Sequence, residues 1–219
     1  MSAFETIQNI LYYGSYGPVV VAALVGAVRY RCLPPPLRCL AWLAWYTLGM
    51  ESCSLVLARL YHANIFLTTL DALLEFGLLA AMYQRALRPS ALSRWLPVVA
   101  GVFALVSLLY YLRPAGAAQF NPVQRFAESI LVLALVLTYF FKVLRELVVV
   151  RLEREPMFWV SVGLLLYFAG SVFIFVSSNY VLHHSRTLSQ RLWAVHAGLY
   201  IVLYGIYSWA LWMKPSRPK

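Results

Sequence analysis

The sequence predicts an all-α protein of the membrane, a single bundle of seven transmembrane helices that takes in residues 1–219. Of the 219 residues, 62% are hydrophobic and 12% are charged, and the mean hydropathy is +0.72. A soluble domain carries about a quarter charged residues, so the apolar excess is expected to face lipid. The chain also contains seven apolar runs of about 20 residues, the length that crosses a bilayer as a helix. Its basic residues, finally, are distributed unequally between the connections.

The seven apolar runs follow one another with short connections, which leave no room for a separate soluble domain. The predicted spans are Gln8–Val28, Cys39–Ala58, Asn64–Gln84, Trp95–Leu112, Phe126–Glu146, Met157–Tyr180 and Leu192–Met213. The first connection contains the run Pro34-Pro35-Pro36, which cannot continue a helix and is expected to force an extended turn. The N-terminal MSAFETIQN lacks a basic region and a cleavage site, so no removable signal peptide is predicted.

Lys and Arg residues predict the orientation, because cytoplasmic connections are enriched in them. Thirteen fall on one side of the predicted spans: Arg29, Arg31, Arg38, Arg85, Arg88, Arg94, Lys142, Arg145, Arg151, Arg154, Lys214, Arg217 and Lys219. Five fall on the other side: Arg59, Arg113, Arg125, Arg186 and Arg191. We therefore expect the N-terminus outside and the C-terminus in the cytoplasm.

Acidic residues inside the predicted spans are the first functional signal. Four of the eight acids lie there away from the last residue of a span, namely Glu51, Asp71, Glu75 and Glu128. Asp71 and Glu75 are four residues apart and so share one face of a helix. An ionised carboxylate inside a bilayer costs several kcal/mol unless it is paired or neutralised. These faces are therefore expected to turn inward, against other helices.

The polar groups of several spans are predicted to lie at a common depth. Counting about 1.5 Å per residue from the outer helix ends places Glu51, Asp71, Glu128 and His196 about 5–12 Å deep, and Glu75 near the midplane. The polar faces are Thr47/Glu51/Ser54, Thr68/Asp71/Glu75 and His196/Tyr200/Tyr204, with Asn179 at a similar height. We interpret them as an outward-opening cavity whose ligand-binding candidates are Glu51, Asp71, Glu75, Glu128, Asn179, His196, Tyr200 and Tyr204.

A structural role for the same acids is the competing interpretation. The carboxylates can accept hydrogen bonds from Ser, Thr and Tyr, or pair with Arg59 and Arg125, simply to hold the bundle together. His196 fits a core histidine that is satisfied by its neighbours. Gly163 and Gly170, seven residues apart, are expected to form a small-residue seam for close helix packing.

Several functional classes can be tested against the residues. A retinal protein needs a Schiff-base lysine in its last helix, and Leu192–Met213 contains none. The four histidines lack the HxxxH spacing of a metal hydrolase, although the candidates Glu51, Glu128, His62 and His196 leave a metal site open.

No catalytic residue and no cofactor is predicted. Nucleic acid is not expected as a partner despite the net charge of +10, because the basic residues sit between apolar runs. The lipid bilayer is the expected surrounding. The three cysteines, Cys32, Cys39 and Cys53, form no CxxC pair.

Met157 to Asn179, with the sequence MFWVSVGLLLYFAGSVFIFVSSN, carries a resemblance. Its pattern of Phe158-Trp159, Gly163, Tyr167, Gly170, Phe175 and Asn179 resembles the sixth helix of a family of small bacterial seven-helix proteins. These occur alone or as the membrane input module of sensor histidine kinases. The span bearing Glu128 and the stretch LWAVHAGLYIVLYGIYSWALW are similar too, so the resemblance covers about residues 125–213, and the first hundred residues by topology alone.

The resemblance implies a seven-helix bundle in a bacterial inner membrane, with a role in sensing or signal relay. No coiled-coil linker and no kinase follows Lys219 in the sequence, so signalling would require a partner such as a histidine kinase. We expect a sensor that binds a small ligand, ion or proton in the outward-facing pocket. A proton- or cation-coupled transporter and a metal-dependent intramembrane hydrolase are the alternatives.

Overall fold

The computed structural model describes residues 14–61, 64–113, 121–146, 152–184 and 186–213, with the backbone alone at residues 61, 146, 175–184, 186–187 and 189–190. Within these ranges the fold is entirely helical. Seven α-helices are described: α1 Tyr16–Arg29, α2 Pro35–Tyr61, α3 Phe66–Ala86, α4 Ala91–Tyr111, α5 Pro122–Glu146, α6 Pro156–His184 and α7 Arg186–Trp212. Short 3-10 turns at Tyr30–Cys32 and Leu152–Arg154 lie before α2 and α6.

Six of these helices, α2 to α7, are long and apolar enough to cross a membrane. The chain is thus a multi-pass membrane protein. The described part of α1 has 14 residues and would span about 21 Å, which is short of a hydrocarbon core of about 30 Å. Residues 8–13 of the first predicted span lie outside the described residues, so the seventh crossing stays a prediction.

Helix α2 corrects the expectation for the proline run. Leu33 is extended and Pro34 precedes the helix, which begins at Pro35 rather than Cys39. Proline is tolerated in the first helical turn because its missing N–H would have no intrahelical acceptor there and its fixed φ suits a helix. The triple proline therefore starts α2.

Helices α4 and α5 also begin about four residues earlier than predicted, because each has a polar cap. The hydroxyl of Ser90 accepts a hydrogen bond from the backbone N–H of Ser93 at 3.2 Å. The side-chain oxygen of Asn121 accepts from the N–H of Gln124 at 3.1 Å. Such caps satisfy donors that the first turn leaves without partners. The earlier start brings Arg125 into the first turns of α5.

The connection predicted between the sixth and seventh spans is largely helical instead. Helix α6 continues to His184, beyond the expected end at Tyr180, and α7 starts at Arg186 rather than Leu192. Polar residues can continue a helix past its apolar run, which hydropathy alone does not detect.

Six helices form a closed ring, and α4 lies outside it. Neighbours in the ring are α1–α2, α2–α3, α3–α5, α5–α6, α6–α7 and α7–α1, whereas α4 packs mainly on α3. The outer surface carries exposed large apolar side chains, among them Val28, Val102, Leu105 and Phe173. Such a surface suits lipid rather than water.

The two ends of the ring differ in character. The end where α2 starts and α3 and α7 finish is a tight apolar core, in which Leu37, Leu40, Tyr83 and Leu211 are at most 1% exposed. Arg29 closes this end, since its guanidinium donates to the terminal carbonyls of α7, including that of Trp212. The other end of the ring holds the polar groups.

Candidate functional site

A cavity of about 270 Å³ lies at the polar end of the ring. Five helices contribute to its walls: α2, α3, α5, α6 and α7. The lining residues are Thr47, Met50, Glu51, Ser54, Asn64, Leu67, Thr68, Asp71, Glu75, Arg125, Tyr167, Trp193, His196, Tyr200 and Tyr204. The cavity is partly open, because the side chain of Asp71 keeps 31% of its exposure and Trp193 keeps 38%.

An ion cluster centred on Arg125 forms one wall. One guanidinium nitrogen, Nη2, donates to Asp71 at 2.6 Å, and the other, Nη1, donates to Glu75 at 3.1 Å and to Glu128 at 3.0 Å. Two of the carboxylates come from α3 and the third from α5, so the cluster joins these helices. One guanidinium faces three carboxylates, and with all four groups ionised the cluster has a net charge of −2.

Glu128 is the deepest member of this cluster. Its side chain is fully buried, and it stands behind the cavity wall rather than on its lining. Oxygen Oε1 of Glu128 is buried and accepts no hydrogen bond from the described residues. A second contact between the two helices lies alongside, where the amide of Gln124 donates to the carbonyl of Thr69 at 3.1 Å. The phenol of Tyr46 on α2 donates to Asp71 at 3.2 Å and extends the network to a third helix.

Glu51 belongs to a separate polar group that joins α2 to α7. Its Oε1 accepts from the phenol of Tyr200 at 2.5 Å, and one turn away Tyr204 donates to the hydroxyl of Thr47 at 2.8 Å. Oxygen Oε2 of Glu51 is buried, and within the described part of the chain no group donates to it. Glu51 thus presents one satisfied and one unsatisfied oxygen at the cavity lining.

Aromatic rings from α6 and α7 form the remaining wall. Tyr167 lies 5.3 Å from His196 and 6.1 Å from Tyr200, measured between ring centroids. The chain of rings continues from Tyr200 to Tyr204 at 4.6 Å and from His196 to Trp193 at 5.4 Å. These separations are those of interacting aromatic pairs. The cavity therefore combines carboxylates with a continuous aromatic surface.

Most of the predicted ligand-binding candidates come together in this cavity. Its lining includes Glu51, Asp71, Glu75, His196, Tyr200 and Tyr204, together with the predicted face residues Thr47, Ser54 and Thr68. The backbone of Asn179 belongs to α6, but its side chain lies outside the described residues. That the assembled residues bind a ligand stays a prediction.

The candidates for a metal site do not assemble in the described part of the chain. No group of three His, Cys, Asp or Glu residues there is arranged to hold a metal ion. Glu51 hydrogen-bonds Tyr200, whereas Glu128 pairs with Arg125, so the two carboxylates have different partners. His62, another candidate, lies outside the described residues.

The structure adds residues that the sequence did not single out as candidates. Arg125 appeared as a pairing alternative and as a topology marker, yet it is the centre of the ion cluster. Its spacing of three residues from Glu128 was an available signal, since such pairs meet on one helix face. Tyr167 belonged to the pattern that carries the resemblance but not to the binding candidates. Tyr46 and Trp193 carried no comparable signal, because aromatic residues are spread over every span.

Comparisons of the chain with protein-family models, with curated proteins and with solved structures found no match.

Proposed function

We propose that this protein is a receptor-like sensor of a bacterial inner membrane, with seven transmembrane helices, the N-terminus outside and the C-terminus in the cytoplasm. Its cavity binds a small polar ligand that enters from the outer side, and occupancy is relayed to a cytoplasmic or membrane partner such as a histidine kinase. The observation that carries the proposal is one partly open cavity with walls from five helices.

Walls from several helices give the ligand a means to act on the bundle. Glu51 and Tyr200 join α2 to α7, whereas Arg125 joins α5 to α3. A ligand that replaces some of these hydrogen bonds between helices changes how stably the helices pack against one another. Differential affinity of this kind is what shifts a conformational equilibrium. The thirteen basic residues predicted at the inner side offer an acidic partner a surface.

The proposal is tested by ligand-induced stabilisation of the full chain in lipid nanodiscs. The probes are tetramethylammonium, acetate, glycine and glycerol, which represent a cation, an anion, a zwitterion and a neutral solute. At about ten times Kd, a binding probe should stabilise the protein by about 1.4 kcal/mol. Thr68→Phe fills the cavity and should abolish the effect. Val102→Phe is the matched control, because Val102 is exposed on α4 away from the cavity lining.

The same experiment decides against the proposal if no probe raises the melting temperature, or if Thr68→Phe responds like the wild type. A stabilising probe is then tested for uptake into proteoliposomes. A sensor moves no more of it than protein-free liposomes do. Uptake above that level would favour the transporter alternative over the sensor.

A further inference from the structure

The ligand class can be argued from the chemistry of the cavity walls. Four carboxylates lie on or directly behind the lining, Glu51, Asp71, Glu75 and Glu128, against the guanidinium of Arg125. With all five groups ionised and His196 neutral, they carry a formal charge of −3. An anionic ligand would be repelled by every carboxylate that is ionised beyond the single positive charge of Arg125, since like charges in a site of low dielectric interact strongly.

The guanidinium of Arg125 is already paired with carboxylates. Its Nη1 donates to Glu75 and Glu128 and its Nη2 donates to Asp71, all within 3.1 Å. The guanidinium is therefore directed at the carboxylates of α3 and α5. Its positive charge is thus already outweighed by three carboxylates, so it offers an anion no net attraction.

The carboxylate of Glu51 gives more direct evidence for a cationic ligand. Its Oε2 is buried on the side chain that lines the cavity, and no described residue donates to it. Arg125, which also lies on the cavity lining, bonds the other three carboxylates instead. A buried carboxylate oxygen without a donor is costly, and a cationic ligand would supply the missing charge.

The rings beside Glu51 decide what kind of cation fits. Trp193, His196, Tyr167, Tyr200 and Tyr204 form an uninterrupted aromatic surface on the lining. Faces of Trp and Tyr rings attract organic ammonium groups through their quadrupoles. A multivalent metal ion is disfavoured, because the described residues contain no set of three suitable ligands. The volume of about 270 Å³ is below that of drug-sized ligand pockets and suits a small molecule.

We propose that the cavity selects a small organic monocation, a protonated or quaternary amine, held between the carboxylate of Glu51 and the aromatic surface of α6 and α7. This inference rests on the proposed function and specifies its ligand. The Arg125 cluster lines the cavity on its α3 and α5 side and offers an anion no net positive charge.

Equilibrium dialysis of radiolabelled tetramethylammonium against the full chain in nanodiscs tests the inference at constant ionic strength in sodium chloride. The wild type should bind it saturably, and excess acetate should not compete. Glu51→Gln and Trp193→Leu should each weaken binding about tenfold or more, since each removes one main attraction. The matched controls are Glu153→Gln and Trp95→Leu, which alter exposed residues outside the cavity lining and should bind like the wild type.

Melting temperatures of all variants identify any that fails to fold, and Tyr200→Leu then replaces it as the cavity variant, because it removes a ring from the aromatic surface. The inference is overturned if sodium competes with tetramethylammonium at equal affinity. It is also overturned if the Glu51→Gln and Glu153→Gln variants bind tetramethylammonium with the same affinity. Binding of acetate or glycine in place of the cation would overturn the ligand class and leave the proposed function standing. Absence of binding by every probe would remove both.

Discussion

Arg125 holds together three carboxylates that come from two helices. At the residue scale it is the group on which the cluster depends, because its side chain is 14% exposed and contacts Asp71, Glu75 and Glu128. Arg125→Gln should lower the free energy of unfolding by roughly 3–5 kcal/mol, since it leaves buried carboxylates without their counter-charge. Chemical or thermal unfolding in nanodiscs measures the loss.

A control and a rescue make this prediction specific. Arg113→Gln removes an exposed guanidinium that stands over the ring of Tyr110, and it should have little effect. Adding Glu128→Gln to Arg125→Gln removes one uncompensated charge and should recover part of the lost stability, as a double-mutant cycle would show. Equal melting of the two arginine variants would contradict the importance assigned to the cluster.

Residue types and spacing predicted the acids and the polar faces of this site. Glu51, Asp71 and Glu75 stand out because carboxylates inside apolar spans are rare and need a partner. The identity of each partner could not be predicted, because it depends on how far a flexible side chain reaches across a helix interface. The sequence named both Arg59 and Arg125 as pairing partners for the acids, and the structure shows Arg125 in the cluster.

At the scale of elements, α6 and α7 approach closely at their glycines. A Cβ atom at Gly163 would lie 3.2 Å from Cγ2 of Ile206 and 3.3 Å from Leu203, and at Gly170 it would meet Leu199. The small-residue seam expected from the spacing of these glycines is thereby confirmed. The aromatic wall of the cavity belongs to the same two helices, so their close packing positions it.

Gly163→Leu should separate α6 from α7 and destabilise the bundle by about 1–3 kcal/mol, the usual cost of overpacking an interface. The β-branched Ile206 has few alternative rotamers with which to make room. Gly101→Leu is the matched control, because Gly101 is exposed on α4 and a Cβ atom added there would meet nothing within 4 Å. Unfolding in nanodiscs compares the pair, and an equal effect of both substitutions would refute a tight seam.

Helix ends were less predictable than helix interiors. Apolar runs marked the middle of each span, but caps such as Ser90 and Asn121 and the tolerance of a first turn for Pro35 set the true starts. These are local hydrogen-bonding and steric effects that hydropathy does not register. The shifts matter for the site, because the early start of α5 is what makes Arg125 a helical residue.

At the scale of the molecule, six helices close a ring around an apolar core at one end and a polar cavity at the other. Hydrophobic periodicity indicates which face of a helix turns inward, but it does not indicate which helices become neighbours. Short connections favour sequential neighbours, as for α2 and α3. The direct contact of α3 with α5, which places α4 outside, could not be predicted in this way.

The central proposal is that the cavity lined by side chains from five helices admits water and opens on the outer side. In a chain with Cys32, Cys39 and Cys53 replaced by alanine, a single cysteine is introduced by Thr68→Cys on the cavity lining or by Leu105→Cys on the exposed face of α4. Reaction with a charged, membrane-impermeant thiosulfonate is then measured from outside intact cells. We expect Thr68→Cys to react and Leu105→Cys to stay unmodified, because lipid neither admits the reagent nor supports a thiolate. Equal inertness of both positions, or modification of Thr68→Cys from the cytoplasmic side alone, would contradict the account.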